Sequence, residues 1–312
     1  MGKKKIYIDG QSGTTGLQIY ERIGAREDLT LLRIPEELRH DKEERKKYLN
    51  DADVVFLCLP DDGAREAVSL IENPEVKVID ASTAHRTSEG WVYGYPELSA
   101  SQREAIQGAK RVANPGCHAT GFISIVAPLV MAGLIPEDAP LSCFSLTGYS
   151  GGGKKMIAEY EDENRNSLLS SPALYGLTLS HKHLPEMQKV CGLKHAPLFV
   201  PVVDDYYKGM ATTVLLPHAL LGGGVTGEDL CKALESHYAK EHFITVHSYG
   251  EAGPRLYANT LAGTNRLDLF VSGNETQTIL TSVFDNLGKG ASGAAVQNLN
   301  ILLGLPEETG LE

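Results

Sequence analysis

The sequence predicts an α/β fold class: a Rossmann-type dinucleotide-binding domain followed by an α+β domain with a mainly antiparallel sheet. Three observations predict it. Over residues 1–85 short apolar runs alternate with helix-patterned segments. A glycine-rich turn follows the first of those runs. From about residue 140 the apolar runs are instead separated by irregular segments, the habit of an antiparallel sheet.

Each element has its own warrant. KKIYID (4–9) reads as a buried strand, GQSGTTG (10–16) as a turn, and LQIYERI (17–23) as a helix. LTLLRI (29–34) is a second strand, and PEELRHDKEERKKYLN (35–50) is charged and helix-prone. DVVFLCLP (53–60) is continuously apolar, as a strand covered on both faces is. DGAREAVSLIEN (62–73) is helical and VKVIDAS (76–82) is a fourth strand. After the helix that follows Cys117, strand-like runs cover 141–150, 196–203, 210–217 and 244–250. Residues 266–286 form a hairpin pair turning at SGNE (272–275), and 290–306 closes the chain as a helix. The change of pattern puts a domain boundary near residue 116.

Composition narrows the function. The 312 residues suggest two domains, and 42% hydrophobic residues suffice for their cores. The net charge of −11 argues against a general nucleic-acid binder. The start, MGKKKIYIDG, lacks the apolar stretch of a secretory signal. The longest apolar run, after Cys117, is broken by Pro128 and Gly133, so no membrane span is expected. The five cysteines, Cys58, Cys117, Cys143, Cys191 and Cys231, are dispersed and never paired as CxxC. That pattern fits reduced thiols in a cytoplasmic protein.

The motifs carry the chemistry. In GQSGTTG, Gly10, Gly13 and Gly16 would let the backbone approach a pyrophosphate, with Ser12, Thr14 and Thr15 between them at the helix start. A tight strand–helix turn also wants glycine, so the pattern gains weight from its context. Twenty positions past Gly13 stands Arg33, which suits a ribose 2′-phosphate and favours NADP. Glu36 and Glu37 nearby leave NAD open. Asn114 can cap a helix with Pro115 in its first position, placing the Cys117 thiol in the first turn. There the helix dipole favours the thiolate, a nucleophile device. The plain alternative is a small buried apolar residue.

A thiolate needs a proton partner. LYGLTLSHKHLPEM (174–187) offers His181, His183 and Glu186, with Tyr175 upstream. A metal site is not expected, because no third strong ligand stands at a usual spacing. GYSGGGKK (148–155) nearly matches a P-loop but has lysine where the metal-binding hydroxyl belongs. Lys154 and Lys155 could still hold a phosphate or carboxylate, or be two surface lysines on a flexible turn. DASTAHR (80–86) ends a strand with Ser82, Thr83 and Arg86, where open α/β sheets gather ligands.

With these motifs the sequence resembles the N-acetyl-γ-glutamyl-phosphate reductases of arginine biosynthesis, in their shorter, second type. The resemblance runs through almost the whole chain. It is carried by GQSGTTG, DASTAHR, YGYPEL (93–98), ANPGCHAT (113–120), SHKHLPEM and VQNLNILLGLPEETGL (296–311). Aspartate-semialdehyde dehydrogenases share the architecture and chemistry but lack the HKHLPE segment and this GLPE form of the closing helix.

The resemblance implies reduction of an acyl phosphate to an aldehyde with NADPH, through a thioester on Cys117. His181, His183 and Glu186 would complete the catalytic set, with Tyr175 in support. Arg86, Ser150, Lys154 and Lys155 would meet phosphate or carboxylate. The first domain, 1–116, would be completed by the helix of 291–312, with Gln297 and Asn298 near the nicotinamide and Ser82 also at the cofactor. Residues 117–290 would form the catalytic and oligomerisation domain of a dimer or tetramer. The longer type has an aromatic where this chain has His118, and arginine where it has Lys154 and Lys155. Three rivals stand: the same chemistry on aspartyl or aminoadipyl phosphate, a cysteine hydrolase, and a nucleotide-binding sensor.

Overall fold

The structure is a computed structural model that describes residues 2–311. The chain forms two compact units, one running to Pro115 and joined by Ala291–Leu311, the other Gly116–Gly290.

The first unit follows the expected winding. Its elements are β1 (Lys4–Asp9), α1 (Thr14–Ile23), β2 (Leu29–Leu32), α2 (Lys42–Asp51), β3 (Val54–Leu57), α3 (Asp61–Leu70), β4 (Lys77–Asp80), β5 (Val92–Tyr93), α4 (Ala100–Gly108) and β6 (Arg111–Ala113). The strands lie in the order β2-β1-β3-β4-β6-β5, and every ladder is parallel. Alternate residues face opposite sides. Ile6, Ile8, Val54 and Phe56 join one core; Tyr7, Val55 and Leu57 join the other. Both faces are therefore apolar, which is why these strands read as unbroken runs.

The charged stretch 35–50 is not one helix. A 3-10 turn occupies Glu36–Leu38, and α2 starts only at Lys42, where the Asp41 side chain accepts from Glu44 N at 2.9 Å.

The second unit holds α5 (Cys117–Met131), β7 (Ser142–Gly148), α6 (Gly153–Glu161), β8 (Ala173–Leu174), α7 (Leu184–Val190), β9 (Leu198–Asp204), β10 (Met210–Pro217), α8 (Gly227–Tyr238), β11 (Ile244–Val246), β12 (Leu267–Gly273) and β13 (Gln277–Phe284). Its sheet runs β11-β12-β13-β10-β7-β9-β8. The expected mainly antiparallel sheet is in fact mixed: β7 with β9 and β11 with β12 pair in parallel. Long excursions separate the members of both pairs, which is what a parallel ladder requires. One sheet face packs against α5 and α8. There Gly121 lies so close to Thr212 that a Cβ would stand 2.4 Å from the hydroxyl oxygen.

The last helix, α9 (Gly293–Leu303), belongs to the first unit, where Ala295, Val296 and Leu299 enter its core.

Candidate active site

In the first unit the glycine turn sits where β1 and β3 diverge toward different neighbours, the point at which open α/β sheets bind ligands. Gly10 has φ +89°, and a Cβ there would stand 2.3 Å from Cys58 O. A Cβ on Gly16 would stand 2.5 Å from Gly10 O. Chain packing alone accounts for those two glycines. Gly13 differs: its Cβ would make only ordinary contacts, at 3.4 Å and beyond, so the turn itself does not demand it. Gly13 caps α1 without a side-chain bond, and no acidic residue occupies the first turn. Thr14 Oγ1 is buried without a hydrogen-bond partner among the described residues. The N–H groups of Thr14, Thr15 and Gly16 lie in the first turn, where an α-helix supplies them no acceptor, and a turn of this kind can hold a dinucleotide pyrophosphate.

A cavity of about 230 Å³ adjoins this turn, lined in part by Gly10, Ser12, Arg39, His40, Arg45 and Gly63. Arg33 does not line it; its guanidinium lies 5.0 Å over the Tyr20 ring. The 3-10 turn after Pro35 brings the chain back, so that Arg39 reaches Ser12 Oγ at 3.4 Å. Arg45 is buried and bonds the buried Asp9 at 2.8 Å, while burial raises the Asp9 carboxyl above its usual range.

Other expected ligand residues serve the unit's own structure. Ser82 Oγ donates to the fully buried Asp80 at 2.8 Å and accepts from Ala84 N. His85 Nδ1 also meets Asp80, at 2.6 Å, and its ring stacks on Trp91. Arg86 donates from Nε to Asn114 O and from Nη2 to Ala81 O, bracing the strand-end loop. Gln297 is fully buried and donates to Glu97 and Glu307, both at 2.8 Å, so its amide anchors α9 rather than facing a ligand. Asn298 donates to Gly94 O and Asn114 Oδ1, but its own Oδ1 is a buried acceptor with no partner among the described residues.

In the second unit Cys117 is the first residue of α5. The cap is Gly116, not Asn114, whose amide donates instead to Ala291 O. The thiol still stands at the helix N-terminus, where the dipole and open N–H groups favour a thiolate. Gly290 abuts it: a Cβ there would lie 2.9 Å from Cys117 Cβ. The Gly116 N–H donates to Glu186 Oε2 at 3.1 Å, so this buried carboxylate secures the backbone beside Cys117.

His181 and His183 gather at the same helix end. Their ring centroids are 4.7 Å apart, and His118 lies 5.5 and 5.7 Å from them. The His183 main-chain N–H donates to His181 Nδ1 at 3.2 Å, which places the proton of a neutral His181 on Nε2. Tyr175 OH meets His118 Nε2 at 2.6 Å. Burial, then the charge of Cys117, raises the Tyr175 phenol. Ser150 is buried and accepts from Asn286 Nδ2 at 3.0 Å, while Lys154 and Lys155 stand exposed in the first turn of α6. Among the described residues no group of three or more His, Cys, Asp or Glu side chains is arranged to hold a metal ion.

His118, Gly290 and Arg39 were not in the expected set. His118 was visible only as a departure beside the cysteine. Gly290 lies 173 positions from Cys117 and carries no local signal.

A chain with one α/β unit that carries a glycine-rich strand–helix turn and a second unit that carries a helix-start thiol and a histidine cluster defines the semialdehyde dehydrogenase class. Family models agree: "Semialdehyde dehydrogenase, NAD binding domain" matches residues 8–109, and "Semialdehyde dehydrogenase, dimerisation domain" matches 117–286. The chain is 47% identical to an N-acetyl-gamma-glutamyl-phosphate reductase of Trichormus variabilis, covering 100% of both. It is 50% identical to one from a Chelativorans species, covering 96% of this chain and 98% of the relative. The chain belongs to the N-acetyl-γ-glutamyl-phosphate reductase family. Its fold is that of aspartate semialdehyde dehydrogenase II from Vibrio cholerae, with TM-score 0.72 at 15% identity over 97% of this chain and 99% of that one. The enzyme from Francisella tularensis matches with TM-score 0.73 at 13% identity, over 96% and 100%.

Proposed function

We propose that the protein reduces N-acetyl-γ-glutamyl phosphate to N-acetylglutamate 5-semialdehyde with NADPH, releasing phosphate. The observation that carries this reading is Cys117 at the N-terminus of α5, next in the chain to His118, whose ring packs with those of His181 and His183, in a chain with full-length similarity to reductases of that name.

The Cys117 thiolate attacks the acyl carbon. A C–S bond forms, the C–O bond to phosphorus breaks, and phosphate leaves with the electron pair. When bound, NADPH supplies the hydride that takes the thioester to the thiohemiacetal level. His181 or His183 gives a proton to the oxyanion so formed and takes it back as the C–S bond breaks, freeing the aldehyde and the thiolate. Glu186 acts through Gly116 N. Ser150, Lys154 and Lys155 are the anion-binding candidates of this unit, and Arg86 braces its loop in the other.

The cofactor residues are Gly10, Ser12, Gly13, Thr14, Thr15 and Gly16 for the pyrophosphate, and the unpartnered Asn298 Oδ1 for a donor such as a carboxamide. Arg39 takes the 2′-phosphate role first given to Arg33, because Arg39 lines the cavity beside Ser12. A cytoplasmic setting fits the biosynthetic reductases this chain is similar to.

Assembly follows from the second sheet. Directly paired strand residues share a face, and Ile279, Leu215, Ser142 and Leu198 form one row across β13, β10, β7 and β9. Ile279, Leu215 and Leu198 are exposed by 45, 45 and 53%. Phe144, Val200 and Phe270 on the same face are half-buried. An outward face of that composition calls for a cover, and within a family model named for dimerisation the cover is a second copy.

The test runs the reaction backward. Protein, NADP, inorganic phosphate and N-acetylglutamate semialdehyde should give a phosphate-dependent rise in NADPH absorbance that Cys117→Ser abolishes. Turnover of aspartate semialdehyde instead would move the substrate to aspartyl phosphate. Retained activity in Cys117→Ser would sink the thioester route.

A further inference from the structure

Residues 171–180 lead from a 3-10 turn at Ser167–Ser170 to His181 and His183. This stretch has only the two-residue strand β8 and is almost wholly exposed. Leu179 even takes φ +56°, a region that side-chain-bearing residues rarely enter. A segment of this kind does not hold a histidine in place by its own packing. It has an inward anchor in Tyr175, whose N–H donates to Pro201 O at 3.1 Å and whose hydroxyl meets His118 Nε2 at 2.6 Å.

His118 is itself locked. It sits in the first turn of α5 at 2% exposure. Nδ1 bonds Ser145 Oγ at 2.7 Å, and that hydroxyl bonds Thr212 Oγ1 at 2.8 Å. Both hydroxyls belong to paired strands at the sheet's centre. The His181 ring meets the His118 ring edge-on at 5.5 Å, as does Phe199 at 5.2 Å.

We propose that His118 is a positioning residue of the reaction: bridging Ser145 to Tyr175, it holds the exposed segment so that His181 stays at the helix end where Cys117 stands. This inference rests on Cys117 being the nucleophile. Burial, then the charges of His181 and Lys182, lower the His118 pKa to about 3, so the ring stays neutral at working pH. One nitrogen then donates and the other accepts, the arrangement a two-sided bridge requires. Two bonds and the neutral state make His118 a fixed link rather than a proton carrier.

The experiment uses the full chain with NADP in the backward assay, and compares His118→Phe, Tyr175→Phe, the double variant and His118→Gln. Each Phe variant should lower kcat roughly 10- to 100-fold, the scale of a displaced catalytic group. KM for NADP should stay within about twofold, since no cofactor-turn contact changes. The double variant should be no worse than the poorer single, because both cut one link. His118→Gln keeps a donor and an acceptor and should recover part of the loss. The pH profile of kcat/KM should shift in the Phe variants, because His181 changes surroundings; a purely structural defect would only reduce the amount of active protein.

Additive losses, or kcat within about threefold of wild type in both Phe variants, would overturn the proposal. Should His118→Phe fail to fold, Tyr175→Phe, which removes one hydroxyl, carries the test alone. An active wild type with a dead Cys117→Ser but unaffected Phe variants refutes this inference only. Activity surviving in Cys117→Ser refutes the reading beneath it.

Discussion

Leu215→Asp should split the assembly. The side chain stands in the middle of an exposed row, flanked by Ile279 on β13 and, past Ser142, by Leu198 on β9. Fully burying such a side chain stabilises by about 1.5–3 kcal/mol. With Ile279, Leu215 and Leu198 already about half covered, burying the remainder contributes roughly 1 kcal/mol each. A two-fold interface uses each residue twice, so the row supplies about 6 kcal/mol. Leu215→Asp removes about 2 of these and sets two carboxylates into an apolar contact, at a further cost of several kcal/mol. A loss of roughly 4 kcal/mol weakens the dissociation constant about a thousandfold. Sedimentation velocity from about 0.1 to 100 μM should show a dimer or larger assembly in the wild type and monomer in the variant. The melting temperature of the isolated fold should barely move, since the position faces outward. An assembly that survives Leu215→Asp undiminished at the lowest concentration would refute the placing of the interface on this face.

Three further outcomes follow. Arg39→Ala should raise KM for NADPH about 10- to 100-fold, the value of a charge-assisted phosphate contact, and leave NADH kinetics unchanged; Arg33→Ala should change neither, and the reverse pattern in steady-state assays would restore Arg33. Arg45→Leu should destabilise the first unit by about 3–5 kcal/mol by stranding a buried carboxylate at Asp9, with part recovered in Arg45→Leu/Asp9→Asn, as urea midpoints would report. His247 is desolvated by burial, which lowers its pKa, but bonds to Asp268 at 3.0 Å and Glu251 at 3.4 Å outweigh this and raise it. Its contribution to stability is thus complete below the unfolded histidine value of about 6.5 and is lost as pH rises through the higher folded value. Urea curves of wild type and His247→Gln should differ at pH 5.5 and converge well above neutrality; a constant gap would contradict the pairing.

Much of this was legible in the chain. The winding of the first unit shows in runs such as DVVFLCLP, because a strand covered on both faces needs apolar residues at every position. Cys117 could be placed at a helix start because NPG ends an extended stretch and an apolar helix follows, although the cap proved to be Gly116. The hairpin at 266–286 shows through its alternation and its SGNE turn. These are local properties, set by a few neighbours in the sequence, and local physics determines them.

The remainder depended on residues far apart in the chain. That Arg39 rather than Arg33 reaches the glycine turn follows from a 3-10 turn whose course no periodicity encodes. Ser82 and Gln297 looked like ligand contacts, yet Asp80 and the carboxylates of Glu97 and Glu307 claim them. Parallel pairing of β7 with β9 was invisible because register between distant strands is chosen by the whole core. The bridge from Ser145 through His118 to Tyr175 joins three separate segments. The sequence by itself determined the kind of fold and the family, and it singled out Cys117 as the candidate nucleophile, since these rest on short patterns of neighbouring residues. Only the tertiary structure decided which polar groups serve the core and which are left to act, because a buried donor or acceptor takes whatever partner the packing brings to it.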